Sequence, residues 1–193
     1  MHGAYADRFD PAAPPPAFRD VPDNGQEYEA ITNLAARGIV RGYGDGTFGR
    51  ADPMLRAQVA AMLARGMAWE TETDANPFPD RGPVDAELWR AVATLAHYGV
   101  AQGYADGTYD PTGPVLKIQV ISLVTLAQFA RGYWTAVPYN QRPYPNVPES
   151  SGARAVLAQF VAHAGAVPDA SDQLTDWDDW DQPADRAWTA EVL

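Results

Sequence analysis

The feature that most constrains this chain is an internal repeat. Gly38-Ile39-Val40-Arg41-Gly42-Tyr43-Gly44-Asp45-Gly46-Thr47-Phe48 returns as Gly99-Val100-Ala101-Gln102-Gly103-Tyr104-Ala105-Asp106-Gly107-Thr108-Tyr109, 61 residues later. Flanking matches keep the same order: Phe18-Arg19-Asp20 with Phe78-Pro79-Asp80, Tyr28 with Trp89, and Pro53 to Gln58 with Pro114 to Gln119. A third, eroded copy starts at Tyr144-Pro145-Asn146-Val147 and continues through an apolar stretch, Val156 to Val161, to Gly165. It lacks the glycine-rich loop, with Pro168-Asp169-Ala170-Ser171-Asp172 roughly in its place, and resumes at Pro183-Ala184-Asp185-Arg186-Ala187. The chain stops inside the helix expected there, as a clipped last repeat would.

Each repeat reads as helix–loop–helix. Tyr28, Ile31, Leu34 and Ala35 make one apolar helical face, with Gly38 as the residue that ends it. Asp52 as N-cap and Pro53 at the first helical position would open the second helix, buried through Leu55, Val59, Met62 and Leu63. Asp45-Gly46 and Asp106-Gly107 are tight-turn dipeptides, and Phe48 and Tyr109 are expected to fold back as plugs onto the helix pair. One such pair cannot bury both its faces, so three repeats should stack on a shared core. The expected division is an extended proline-rich lead-in at 1–17, with Asp10 to Ala17 polyproline-like, and repeats at 18–77, 78–143 and 144–193. The second repeat includes an irregular connector, Gly132 to Ser150, rich in proline and tyrosine.

Composition excludes several functions. With 46% hydrophobic residues in 193 the chain can build a core, and no apolar run reaches the roughly 18–20 residues that would cross a bilayer. Cysteine is absent, which removes disulfides, thiol nucleophiles and Cys-ligated metal sites. A net charge of −11 repels phosphate backbones and anionic membranes, so neither nucleic acid nor membrane insertion is expected. Lys117 is the single lysine, and arginine supplies the other 13 of 14 cations. Any anion must therefore be held by a local pocket rather than by the protein's overall field. Met1 to Arg8 has no basic stretch followed by an apolar one, which leaves a mature form, a fragment or a cytosolic protein equally open.

These motifs resemble the S-layer homology family, whose repeats read F-x-D-V, W-x-x-x-A-I-x-x-L, G-I-x-x-G-Y-x-D-G-T-F-x-P and then T-R-A-E. The first repeat keeps Phe18-Arg19-Asp20-Val21, Ala30-Ile31, Leu34, Gly38-Ile39, Gly42-Tyr43 and Asp45 to Phe48; the second keeps the family tryptophan as Trp89. The resemblance implies an all-helical, pseudo-threefold bundle outside the cell. Its inter-repeat grooves would bind an anionic cell-wall polysaccharide, commonly pyruvylated, and so anchor a surface protein without catalysis or cofactor. The family's basic position falls on Arg56, Lys117 and Arg186, each in the first turn of a helix where free N–H groups would also face an anion. A guanidinium can grip a carboxylate through two bonds, whereas Lys117 acts as a point charge. Gln58 and Gln119 replace the family's acid, and Trp188 stands there in the third repeat, so at most two grooves are expected, near Arg56 and Lys117.

Other residues carry two readings each. Asp45 and Asp106 either contact sugar hydroxyls or shape the turns with Gly46 and Gly107. Tyr28 and Trp89 either stack on sugar rings or pack half-buried. His97 and His163 lack a second ligand at metal spacing, and the glycine-rich loop lacks the alternating oxygens of a calcium loop. Asp176 to Asp181, with Trp177 and Trp180, either binds a cation or a sugar, or provides paired carboxylates for glycoside hydrolysis, or is a solvated acidic loop whose tryptophans plug the third repeat. The alternative to glycan anchoring is a protein-interaction or self-assembly module of a surface layer, working beside other surface-layer subunits. No Ser/His/Asp set, phosphate loop or metal cluster marks an enzyme.

Overall fold

Six α-helices make up the regular structure of the computed structural model, which describes residues 17–69, 75–138, 144, 146–148, 152–165 and 177–193. They are α1 (Gly25–Ala36), α2 (Arg56–Gly66), α3 (Ala86–His97), α4 (Lys117–Arg131), α5 (Ala153–Ala164) and α6 (Arg186–Val192). The chain is all-α: among the described residues the sheet-like pairing is limited to three isolated bridges. Most of the lead-in, part of the connector, Pro168 to Asp172 and Asp176 lie outside the described residues.

The helix ends follow from their sequence. Past α1, Gly38 N–H donates to the Ala35 carbonyl at 2.9 Å and Ile39 N–H to that of Leu34 at 2.8 Å. This double closure needs a residue with positive φ, and Gly38 has φ +70°; glycine takes it without strain. Gly99 repeats the device behind α3, bonding Ala96 while Val100 bonds Leu95. The residues thrown inward, Ile39 and Val100, are buried. Gly42 and Gly103 are glycine for another reason. A Cβ at Gly42 would lie 2.3 Å from the Phe18 ring, and one at Gly103 would lie 2.7 Å from that of Phe78. The aromatic that opens each repeat rests on the glycine and then meets the loop plug, Phe18 on Phe48 at 5.4 Å and Phe78 on Tyr109 at 5.1 Å between ring centroids.

Two expectations are corrected. First, α2 starts at Arg56 with Leu55 at the N-cap, three residues later than an Asp52 cap requires. Residues 53–55 run through isolated bridges because they belong to a hub. Met54 N–H donates to Ala184 (2.9 Å), Ala184 to Val115 (2.8 Å) and Val115 back to Met54 (2.8 Å), which closes a ring of three backbone bonds. Pro53, Pro114 and Pro183 flank the ring in the three bridges, and Met54, Val115 and Ala184 are buried. Second, the helices of one repeat do not pair with each other. The contacts join α2 to α3, α4 to α5 and α6 to α1. The hub explains this: the first amides of α2 bond carbonyls of the loop that leaves α3, so α2 lies beside α3 rather than α1. The connector is tied to α5 by two bonds between Gln159 and the Val137 backbone.

Candidate functional site

Arg56, Lys117 and Arg186 occupy one position in the hub, at the start of α2, α4 and α6, and all three are buried. The free N–H groups expected beside them are not free. Arg56 and Ala57 N–H donate to the Gly113 and Pro111 carbonyls, Lys117 and Ile118 to Gln182 and Trp180, and Arg186 and Ala187 to Asp52 and Arg50. Each helix start is thus filled by the loop of another segment, and an anion must be held by side chains.

The side chains reach into the same loops. Arg56 Nε donates to the Tyr109 carbonyl at 2.7 Å, and its guanidinium lies 4.8 Å from the Tyr104 centroid and 4.6 Å from that of Tyr109. Arg186 matches this, donating from Nε to Phe48 at 2.8 Å and from Nη2 to Arg41 at 2.7 Å, with Tyr43 and Phe48 against its guanidinium. Lys117 differs. Its ammonium bonds the Asp179 carboxylate at 2.5 Å, with the Trp188 ring 5.1 Å away.

Gln58 and Gln119 act on their own helices: each Oε1 accepts the N–H of the residue three before it, Leu55 or Leu116, at 3.0 Å. In α6 the cap comes from Asp185, which accepts Trp188 N–H at 2.8 Å, and the Trp188 ring is buried. Asp45 and Asp106 shape their turns. Each accepts both N–H and hydroxyl of the threonine two residues on, and these bonds hold both carboxyls below their ordinary value. Gly46 and Gly107 supply the positive φ. Trp89 is 5% exposed, and Tyr28 is half-buried.

One of the cavities among the described residues lies where the sequence placed the weakest groove. A space of about 150 Å³ is lined by Arg41, Arg65 and Arg186 with Gln58, over an apolar floor that includes Phe48 and Leu88. The expectation of grooves at Arg56 and Lys117 alone missed it, because Arg186 pairs with the intact loop of the first repeat rather than with its own eroded one. Sequence reasoning also missed Arg41 and Arg65, which sit in variable positions of the repeat and become neighbours only through the α2–α3 contact. Glu87, at the start of α3, bridges them, 2.9 Å from Arg65 and 3.4 Å from Arg41. The Arg65 bond holds the Glu87 carboxyl below its ordinary value against the opposing effect of burial. Three guanidiniums against one carboxylate leave this groove cationic in a chain of net −11.

Trp177 is 1% exposed and packs between Tyr144 and Trp188, with Trp180 partly buried against the core. The described part of the acidic run thus plugs its segment. His163 stacks on Trp134 with ring centroids 4.6 Å apart, and His97 is exposed beside Tyr98. Among the described residues no group of three or more His, Asp and Glu side chains could hold a metal ion, and no helix is long and apolar enough to cross a membrane.

The S-layer homology domain is matched at residues 17–60 and 77–121. The chain is 30% identical to a cell surface protein of Thermoanaerobacter kivui over 117 residues, covering 57% of this chain and 15% of that protein. It is 26% identical to an S-layer protein of Bacillus licheniformis over 178 residues, 78% of this chain and 20% of the relative. A Bacillus endoglucanase is 26% identical over 129 residues, 66% of this chain and 13% of the enzyme. The chain thus spans a fifth or less of the length of these relatives. Matched motifs, their two-fold recurrence and the loops they build agree: residues 17–60 and 77–121 are repeats of the S-layer homology family.

Proposed function

We propose that the chain is a non-catalytic anchoring module that holds a surface protein to the cell envelope through an acidic cell-wall polymer. The observation that carries this reading is the Arg41–Arg65–Arg186 cavity, a local concentration of guanidiniums on a strongly acidic protein. A carboxylate-bearing sugar fits its chemistry: a forked donor can grip the acid, and the apolar floor can take a ring face or a methyl group. In this reading residues 144–193 are a third, degenerate repeat, and the closed hub of three helix starts supports a pseudo-threefold bundle with lead-in and repeats divided at 17, 77 and 143. The surface-layer and cell surface relatives support the same compartment. The endoglucanase, which matches over a small share of its length, fits a module appended to unrelated activities.

Arg56 and Lys117 act chiefly within the fold in this account, and Gln58 lines the binding groove while capping α2. The test uses cosedimentation with purified wall polymer. Arg41→Ser combined with Arg65→Gln, checked for unchanged helicity by circular dichroism, should weaken binding about tenfold or more, since each lost charged hydrogen bond is worth roughly 1.5–3 kcal/mol. Undiminished binding by this folded variant would place the ligand elsewhere. Self-association that rises with concentration and ignores the polymer would favour an assembly module instead.

A further inference from the structure

The three basic positions of the hub are not electrically equivalent. Counting from the matched backbone bonds, Asp179 stands one residue before Trp180, as Gly49 stands before Arg50 and Asp110 before Pro111. Opposite Arg186 the loop therefore offers a glycine. Opposite Lys117 it offers a carboxylate, 2.5 Å from an ammonium whose side chain is 10% exposed. Among the described residues neither Arg56 nor Arg186 has an ion-pair partner, since both guanidiniums are engaged by backbone carbonyls and aromatic faces.

We propose that the Lys117 groove is a latent carboxylate site, closed by Asp179 acting as its tethered occupant. The Asp179 side chain is chemically an acetate held by the loop, and it takes the place that an acidic ligand group would need. A free carboxylate competing for Lys117 meets both a partner that is already bonded and the repulsion of a like charge. The Lys117 position is then not equivalent to that of Arg186, which faces Gly49 and has no ion pair among the described residues. An acid at this loop position does not suffice: among the described residues Asp110, its equivalent beside Arg56, makes no ion pair with that guanidinium, whereas Asp179 reaches Lys117. This inference deepens the anion-binding reading, but its test does not depend on any wall polymer.

Lys117 is the single lysine of the chain, so its ammonium can be followed alone by NMR in lysine-labelled protein. The probe is acetate, with neutral acetamide as control. In Asp179→Gly, which copies the residue found at Gly49, acetate should shift the Lys117 side-chain resonances saturably. Its apparent affinity should be at least about tenfold above that of the unaltered protein, as the removal of a competing bound charge implies. Asp179→Asn, nearly isosteric, is the second variant should glycine loosen the loop. An equal response in the unaltered protein would overturn the proposal. So would the absence of a saturable shift in both variants while their helicity is retained. Failure of any variant to bind wall polymer would instead bear on the anchoring reading alone.

Discussion

Arg56→Ala should lower the stability of the protein by about 3 kcal/mol although it removes a residue of the family's basic motif rather than an apolar core side chain. Arg56 is 7% exposed, its Nε bonds the carbonyl of Tyr109, and Tyr104 and Tyr109 lie against its guanidinium. Leaving that carbonyl unpaired costs about 1–3 kcal/mol, and a desolvated cation–aromatic contact adds about 2 kcal/mol. Relief of the charge's own desolvation offsets part of the sum. Tyr109 is affected too, since its hydroxyl donates to the Arg56 carbonyl at 3.3 Å and burial pushes its phenol up to about 12. For a chain of this size the melting temperature should fall by about 6–12 °C. A loss below about 0.5 kcal/mol in denaturant titration would show that Arg56 does not hold the second loop to α2.

Asp20→Ala should have a comparable effect, about 2–3 kcal/mol, and a distinctive pH dependence. The carboxylate accepts the backbone N–H of Phe48 at 2.6 Å, Gly49 at 2.7 Å and Arg50 at 3.3 Å. Asp80 does the same for Tyr109 and Asp110. These bonds pin the loop whose Phe48 carbonyl receives Arg186, so the substitution should also weaken the groove. Burial pushes the Asp20 carboxyl up, but the three backbone bonds outweigh it and hold the group below its ordinary 3.8. A carboxyl that titrates lower in the folded chain than in the unfolded one contributes its full stability above the unfolded value. That contribution fades as pH falls through the folded value. The unaltered protein should therefore lose stability between about pH 5 and pH 2, whereas Asp20→Asn, weaker at pH 7, should lose less over the same range. Parallel losses in the two proteins, followed by denaturant titration at each pH, would contradict the role given to Asp20.

What was legible in the sequence was local. The glycine stops after α1 and α3, the Asp–Gly–Thr turns and the buried faces of the helices follow from residues close together in the chain. Asp52-Pro53 has the local chemistry of a cap, while the hub bonds that delay the start of α2 come from residues about 130 positions away. The helix pairing was hidden for the same reason. So was the cavity, whose arginines come from a loop, the end of α2 and the start of α6. The role of Asp20 was visible only as a repeated letter, since the amides it binds lie about 30 residues on. Nothing near Lys117 in sequence announces Asp179 as its partner.

On the proposed reading, one cationic groove takes an acidic group of the wall polymer. It is tested most directly by isothermal titration of the unaltered protein with purified polymer before and after its acidic substituents are removed. Saturable binding at one site per chain to the intact polymer is expected, with at least about a tenfold loss on the stripped one. Equal affinity for the two polymers, or binding to neither, would contradict it.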